Sequence, residues 1–241
     1  MNIERIYEDD DLLIVNKPPG VLVIPDRFNS EIPSLNRILE SELGQHIWVV
    51  HRIDRYTSGL VCFTKNEEAH KYMSRIFQER YVNKFYLGLV NGRVIPTEGR
   101  IEKAIVEHPA IKGKMTTAKK GKPSITDYQV VEQWPLYSLV QFRIHTGRTH
   151  QVRVHIQSVG NSIVCDDLYG DGKPFLLSGI KKKFKLSGHD EEERPLISRL
   201  ALHAWKLAFK KADGTDINVE APLPKDMAAA VKQLNKWAPK D

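Results

Sequence analysis

Residues 47–63 run Ile47-Trp48-Val49-Val50-His51-Arg52-Ile53-Asp54-Arg55-Tyr56-Thr57-Ser58-Gly59-Leu60-Val61-Cys62-Phe63. Two apolar runs, 47–50 and 60–63, have strand length and enclose a polar loop with one carboxylate, Asp54. Arg52 and Arg55 flank it. Two flanking cations suit an ionised carboxylate, a form able to act as nucleophile or general base. An ion pair that pins the loop explains the same residues, and the local sequence leaves both readings open.

Outward from this stretch, Ile3–Tyr7 and Leu12–Asn16 read as strands around the acidic turn 8–11, and Lys17-Pro18-Pro19-Gly20 stops the second. Leu35, Ile38 and Leu39 keep helical spacing, and Gly44 ends that helix. Thr64 and Glu67 are placed for a capping box before a helix carrying Ala69, Tyr72, Met73, Ile76 and Phe77 on one face. In the alternating run 85–90, Tyr86 points away from the face of Phe85 and Leu87. Segments 126–132 and 137–145 predict an antiparallel pair, and Thr149 an N-cap for a helix running to Gly160. On that helix Val152, Ile156 and Val159 share one face, and His150, Arg153 and Gln157 a neighbouring one. Residues 171–195 predict an inserted surface loop, 200–209 and 217–221 the last strands, and Met227, Val231, Leu234 and Ala238 a closing helix. Without regular βαβ alternation, the fold class predicted is α+β, in one domain over 1–241.

The 241 residues include 41% hydrophobic and 27% charged positions, an ordinary globular balance. The net charge of +6 favours polyanionic partners, with lysines clustered at 112–122 and 181–185. Cys62 and Cys165 are far apart and flanked by apolar residues, which predicts free thiols and a cytoplasmic location. Neither a signal region nor a membrane-spanning run is present, so no membrane association is predicted.

Several chemistries are argued against by what the motifs lack. Each Gly-Lys pair, at 113–114, 121–122 and 172–173, is followed by Met or Pro, so no phosphate loop of the GK[ST] kind exists. No GxGxxG opens a helix. His51-Arg52-Ile53-Asp54 has the wrong order for a kinase catalytic loop. His145, His150 and His155 are five apart, which suits neither one helix face nor one strand face, so no metal site is predicted. No serine or cysteine stands in a nucleophile elbow. A second constellation, residues 146–155, crowds Arg148, His150 and Arg153 about a helix start, where donors favour anions.

In order along residues 3 to 225, six stretches resemble the RluA-type RNA pseudouridine synthase family. These are Asn16–Gly20, His51–Leu60, Lys84–Tyr86, Gly147–His155, Asp166–Gly170 and Leu202–Ala204. The resemblance implies the pseudouridine synthase fold, a curved mixed or antiparallel sheet flanked by helices. It implies isomerisation of specific uridines in structured rRNA or tRNA, with an aspartate nucleophile acting on a flipped-out uridine. Asp54 matches the catalytic aspartate, Arg153 the basic residue paired with it, and Tyr86 the tyrosine that stacks on the target base. Arg52 matches the arginine that displaces the uridine. Lys84, Arg148 and His150 are expected to contact RNA. No cofactor, metal or nucleotide is implied, and a monomer is expected. Relatives often carry a small S4-like RNA-binding module ahead of the catalytic region. A strand beginning at Ile3 implies the catalytic region alone. The alternatives are a non-catalytic RNA-binding protein on the same fold and a methyltransferase, the latter opposed by the missing Gly-rich loop.

Overall fold

Alternation and helical periodicity account for most of the elements in the computed structural model, which describes residues 3–29, 31–186 and 192–238. The chain opens with β1 (Glu4–Glu8), β2 (Leu12–Lys17), α1 (Leu35–Leu43), β3 (Trp48–Val49), β4 (Ser58–Thr64) and α2 (Glu67–Gln78). It continues with β5 (Asn83–Asn91), β6 (Glu98–Glu102), β7 (Ile105–Glu107), β8 (Met115–Thr117), β9 (Ile125–Gln133) and β10 (Tyr137–Ile144). The last elements are α3 (Gln151–Gln157), β11 (Ser162–Ile163), β12 (Leu202–Lys210), β13 (Asp216–Glu220) and α4 (Lys225–Trp237). This is the expected α+β class, with mostly antiparallel strands and four helices. No helix among the described residues is long and apolar enough to cross a membrane.

The chain divides into two compact units, residues 1–86 with 203–222, and 87–202 with 223–241. In the first, strand order is β1-β2-β4-β12, with β3 on β4 and β13 on β12. All these pairs are antiparallel except β4 with β12, where His203 faces Ser58 and Ala204 faces Gly59. The central β4 is buried along its whole length, so both faces read as one apolar run. One face packs with Leu35 and Leu39 of α1, the other with Met73 and Ile76 of α2. Gly44 ends α1 in the left-handed region, its N–H on Glu40 O at 2.9 Å.

The α2 cap corrects the sequence reading. Asn66, not Thr64, is the N-cap, and its side chain accepts the Ala69 N–H at 2.8 Å. Thr64 is still paired with Leu12 and Trp48 as the last residue of β4, so it cannot also begin the helix.

In the second unit the order is β5-β10-β9-β6, with β11 on β5, and β7 and β8 form a separate hairpin. The predicted pair of 126–132 with 137–145 is β9 with β10. Helix α3 is shorter than predicted and does not start at Thr149. His150 takes φ +54°, outside helical geometry, and the helix covers only 151–157. Beyond it Gly160 takes φ +97° in a closing turn. Residues 171–186 are held by buried Phe175, which bridges to Ile197, and by Ile180, whereas 187–191 of the predicted loop lie outside the described residues. Met227, Ala230 and Leu234 bury one face of α4, and Arg199 forks both oxygens of Asp226 at 2.7 Å.

Gly59 is the most constrained glycine. Its φ is +110°, and a Cβ there would stand 2.2 Å from Ala204 O. Gly59→Ala is therefore expected to lower unfolding free energy by roughly 3 kcal/mol or more, read from urea unfolding midpoints.

Candidate active site

The Asp54 loop leaves the β3 strand through Val50 and returns into β4 at Ser58. Side chains that bond backbone hold it at several points. At its start, His51 Nε2 accepts the Cys62 N–H at 2.9 Å, and the imidazole stacks on Phe77 with centroids 4.7 Å apart. An accepting Nε2 fixes the neutral ring with its proton on Nδ1. Burial, with the charge of Lys84, pushes that imidazole down to about 3, so it stays neutral. In the middle of the loop, Lys17 is fully buried. Its ammonium donates to Val21 O at 2.8 Å, Arg55 O at 2.9 Å and Pro18 O at 3.0 Å. Arg55 Nε donates to Gly20 O, and Gly20 N–H to Arg55 O. At the end of the loop, His203 Nδ1 lies 3.0 Å from Ser58 Oγ and Nε2 lies 3.3 Å from Ala221 O. The carbonyl can only accept, so Nε2 carries a proton.

Among the sequence-derived residues of this unit, Asp54 is partly buried on the loop and its carbonyl accepts the Thr57 N–H at 3.2 Å. Tyr86, on β5, packs against the cluster holding Ile53, Val61 and Ala204. Burial and then the Asp54 charge raise its phenol above the ordinary value, so the ring stays protonated. The Asp54 carboxylate and the Tyr86 ring thus share one electrostatic neighbourhood. Arg52 is exposed. Lys84 is buried instead, 8% exposed, with its ammonium 5.8 Å from the Phe77 ring centre. Burial and Arg80 bring its pKa down to about 8.

In the second unit Arg153 is 6% exposed and forks Asp166 through Nε and Nη2, both at 2.7 Å. Its guanidinium sits 4.9 Å from the centre of the Tyr169 ring. His150 Nδ1 lies 2.9 Å from the Tyr169 hydroxyl, and Gln157 donates to Tyr169 O. The face predicted to carry His150, Arg153 and Gln157 is therefore turned to 166–170. Arg148 is half-buried, its Nε on Pro123 O at 3.3 Å. In place of a capping Thr149, the buried Gln151 amide organises the helix start, with Oε1 accepting from Thr146 Oγ1 and from Arg148 N–H. The three histidines have separate partners: Asp127 for His145, Tyr169 for His150, and Thr126 with Lys103 O for His155. Among the described residues no His, Cys, Asp or Glu group could hold a metal.

Sequence reasoning assigned no role to Lys17, His203, Asp166 or Tyr169. All four stand in stretches that resemble the family, 16–20, 166–170 and 202–204, and that was the available signal.

The model of the RNA pseudouridylate synthase family matches residues 11–158, more than half of the chain. Over 233 residues the chain is 35% identical to Ribosomal large subunit pseudouridine synthase D of Neisseria meningitidis serogroup B, covering 94% of this chain and 60% of the relative. It is 35% identical over 247 residues to a Chlorobaculum parvum protein named as an RNA pseudouridine synthase, covering 96% and 74%. The solved structure of human RNA Pseudouridylate Synthase Domain Containing 1 superposes with a TM-score of 0.70 at 27% identity, covering 100% of this chain and 97% of that one. The chain belongs to the RNA pseudouridylate synthase family. It spans 60% to 65% of the length of three of the synthase D relatives it matches.

Two outcomes follow from the loop's anchors. Lys17→Met strands three carbonyls in the interior and is expected to cost roughly 3–5 kcal/mol of unfolding free energy, measured in urea. The folded-state pKa of His51, about 3, lies below the unfolded value of about 6.5, so acid protonates the unfolded chain first. Its contribution is complete above about pH 6.5 and falls away as the pH drops toward 3. His51→Gln, which keeps an acceptor for Cys62 N–H, is expected to flatten that part of the stability–pH curve.

Proposed function

We propose that this chain isomerises specific uridines within structured RNA, rRNA or tRNA, to pseudouridine. The observation that carries the reading is Asp54, on a loop fastened by Lys17 and Arg55, with its charge acting on the Tyr86 phenol. Family membership supports the same chemistry. The relatives named for the large ribosomal subunit favour rRNA as the first RNA to assay.

The reaction breaks N1–C1′, forms C5–C1′, removes the proton from C5 and returns one to N1. It is atom-balanced, without net oxidation. Asp54 supplies the carboxylate that acts on the target nucleotide. Flipping the base costs a few kcal/mol, and stacking on neutral Tyr86 returns about 1–3 kcal/mol. Arg52, exposed on the loop, fills the gap left in the RNA stack. Arg153 serves as the basic residue of the same motif set, and Arg148 and His150 as RNA contacts. Lys84, buried beside His51, acts from beneath the surface unless RNA binding uncovers it. The protein works as a monomer in the cytoplasm, as one catalytic domain.

Asp54→Asn is the decisive variant. Pseudouridine formed on an unmodified rRNA transcript should fall by about a thousandfold or more, with RNA affinity within about twofold of wild type. Product at near wild-type rate would remove Asp54 from the chemistry. Loss of binding alone would favour a non-catalytic RNA-binding role for the loop.

A further inference from the structure

The lysine-rich segment 103–122 is not absorbed by the roles above. It holds six lysines and one carboxylate, Glu107. The chain pairs β7 with β8 and then folds back, with Ile105 and Lys122 exchanging backbone hydrogen bonds at 3.0 and 2.9 Å. Gly121 permits this return, since a Cβ there would stand 2.8 Å from Ile105 O. Lys119, Lys120 and Lys122 are exposed along it. Lys103 donates to a carbonyl, Ser158 O. The result is an ordered, outward, cationic edge.

The Tyr169 side chain helps fasten this edge to the Arg153 cluster. The buried Tyr169 hydroxyl accepts the N–H of Met115, the first residue of β8, at 2.7 Å. That hydroxyl also meets His150 Nδ1. The Tyr169 ring carries Lys114 Nζ 5.5 Å and Arg153 4.9 Å from its centre. Its own N–H is held by Asp166 Oδ1, the carboxylate that forks Arg153. A shift of the hairpin therefore moves a ring already packed against Arg153.

We propose that the β7–β8 hairpin and its return are an arm that grips the RNA phosphate backbone, and that Tyr169 is the positioning residue tying the arm to Arg153. The proposal rests on the RNA-modifying reading, because the phosphates it meets belong to the RNA substrate. Each lysine on a phosphate releases counterions and steepens the salt dependence of binding, whatever the base sequence.

The test uses the whole chain and a fluorescein-labelled RNA stem-loop, with affinity measured between about 50 and 200 mM salt. In K119Q/K120Q/K122Q the slope of log affinity against log salt should lose about 2–3 units. A charge-matched control on exposed lysines outside the arm, K71Q/K210Q/K232Q, should lose less than about one. Tyr169→Phe changes no charge yet should flatten the slope by about one unit or more, and adding it to the triple variant should change little further. An unchanged slope in the arm variant, or an equal loss in the control, overturns the arm. A wild-type slope in folded Tyr169→Phe overturns the tie. These readings need no turnover. A wild-type chain that binds the stem-loop on this slope but modifies no RNA refutes the isomerase reading and leaves the arm standing.

Discussion

The Asp54 loop depends on a buried ammonium. Lys17 Nζ satisfies carbonyls from two separated segments, Pro18 and Val21 on one side and Arg55 on the other. An interior cation costs several kcal/mol of desolvation unless its donors are used, and here three carbonyls use them. Those carbonyls need the ammonium equally, since irregular backbone at this depth has no ladder partner. The exchange between Arg55 and Gly20 adds two more bonds across the same junction. The two motifs are thus one mechanical object, and the residue after Asp54 is held on three sides.

The second unit solves a similar problem with opposite signs. Arg153 is buried on a helix of only seven residues, too short to hold a guanidinium by itself. Asp166 takes both arms of the fork and, with the same carboxylate, accepts the N–H groups of Leu168 and Tyr169. Four donors on one acid fix the 166–169 turn and the arginine together. Such a carboxylate cannot be replaced by an amide without losing part of the fork.

What was legible in the sequence follows from range. Strand alternation, the amphipathic face of α2 and the Gly44 stop are local, and they appear where the spacing placed them. The failures occur where distant partners decide. Thr64 looked like a cap but is claimed by Leu12 and Trp48 in the sheet. Thr149 looked like a cap but His150 leaves helical geometry as its ring meets Tyr169, nineteen residues on. Lys84, expected to contact RNA, stands on β5 with its ammonium over Phe77, a position that the local sequence does not signal. Asp54, Arg153 and Tyr86 drew roles from their ordered motifs, whereas Lys17, Asp166 and Tyr169 stood in matched stretches without a role, and the bonds they make supply one.

The chemical identity of the anchors also matters. A loop that holds a carboxylate in one place needs supports that do not change charge in the working range. His51 meets that need because burial keeps it a neutral acceptor down to about 3. The Ser58–His203 contact leaves His203 hydrogen-bonded at both ring nitrogens. Lys84 differs, since burial brings it down to about 8, and its charge is among the forces that keep His51 deprotonated. Loss of that charge in mild alkali relaxes a constraint on His51 without adding a proton to it, because the imidazole is already neutral. The His51 anchor therefore tolerates the rise in pH that removes the Lys84 charge, and its weakness is acid.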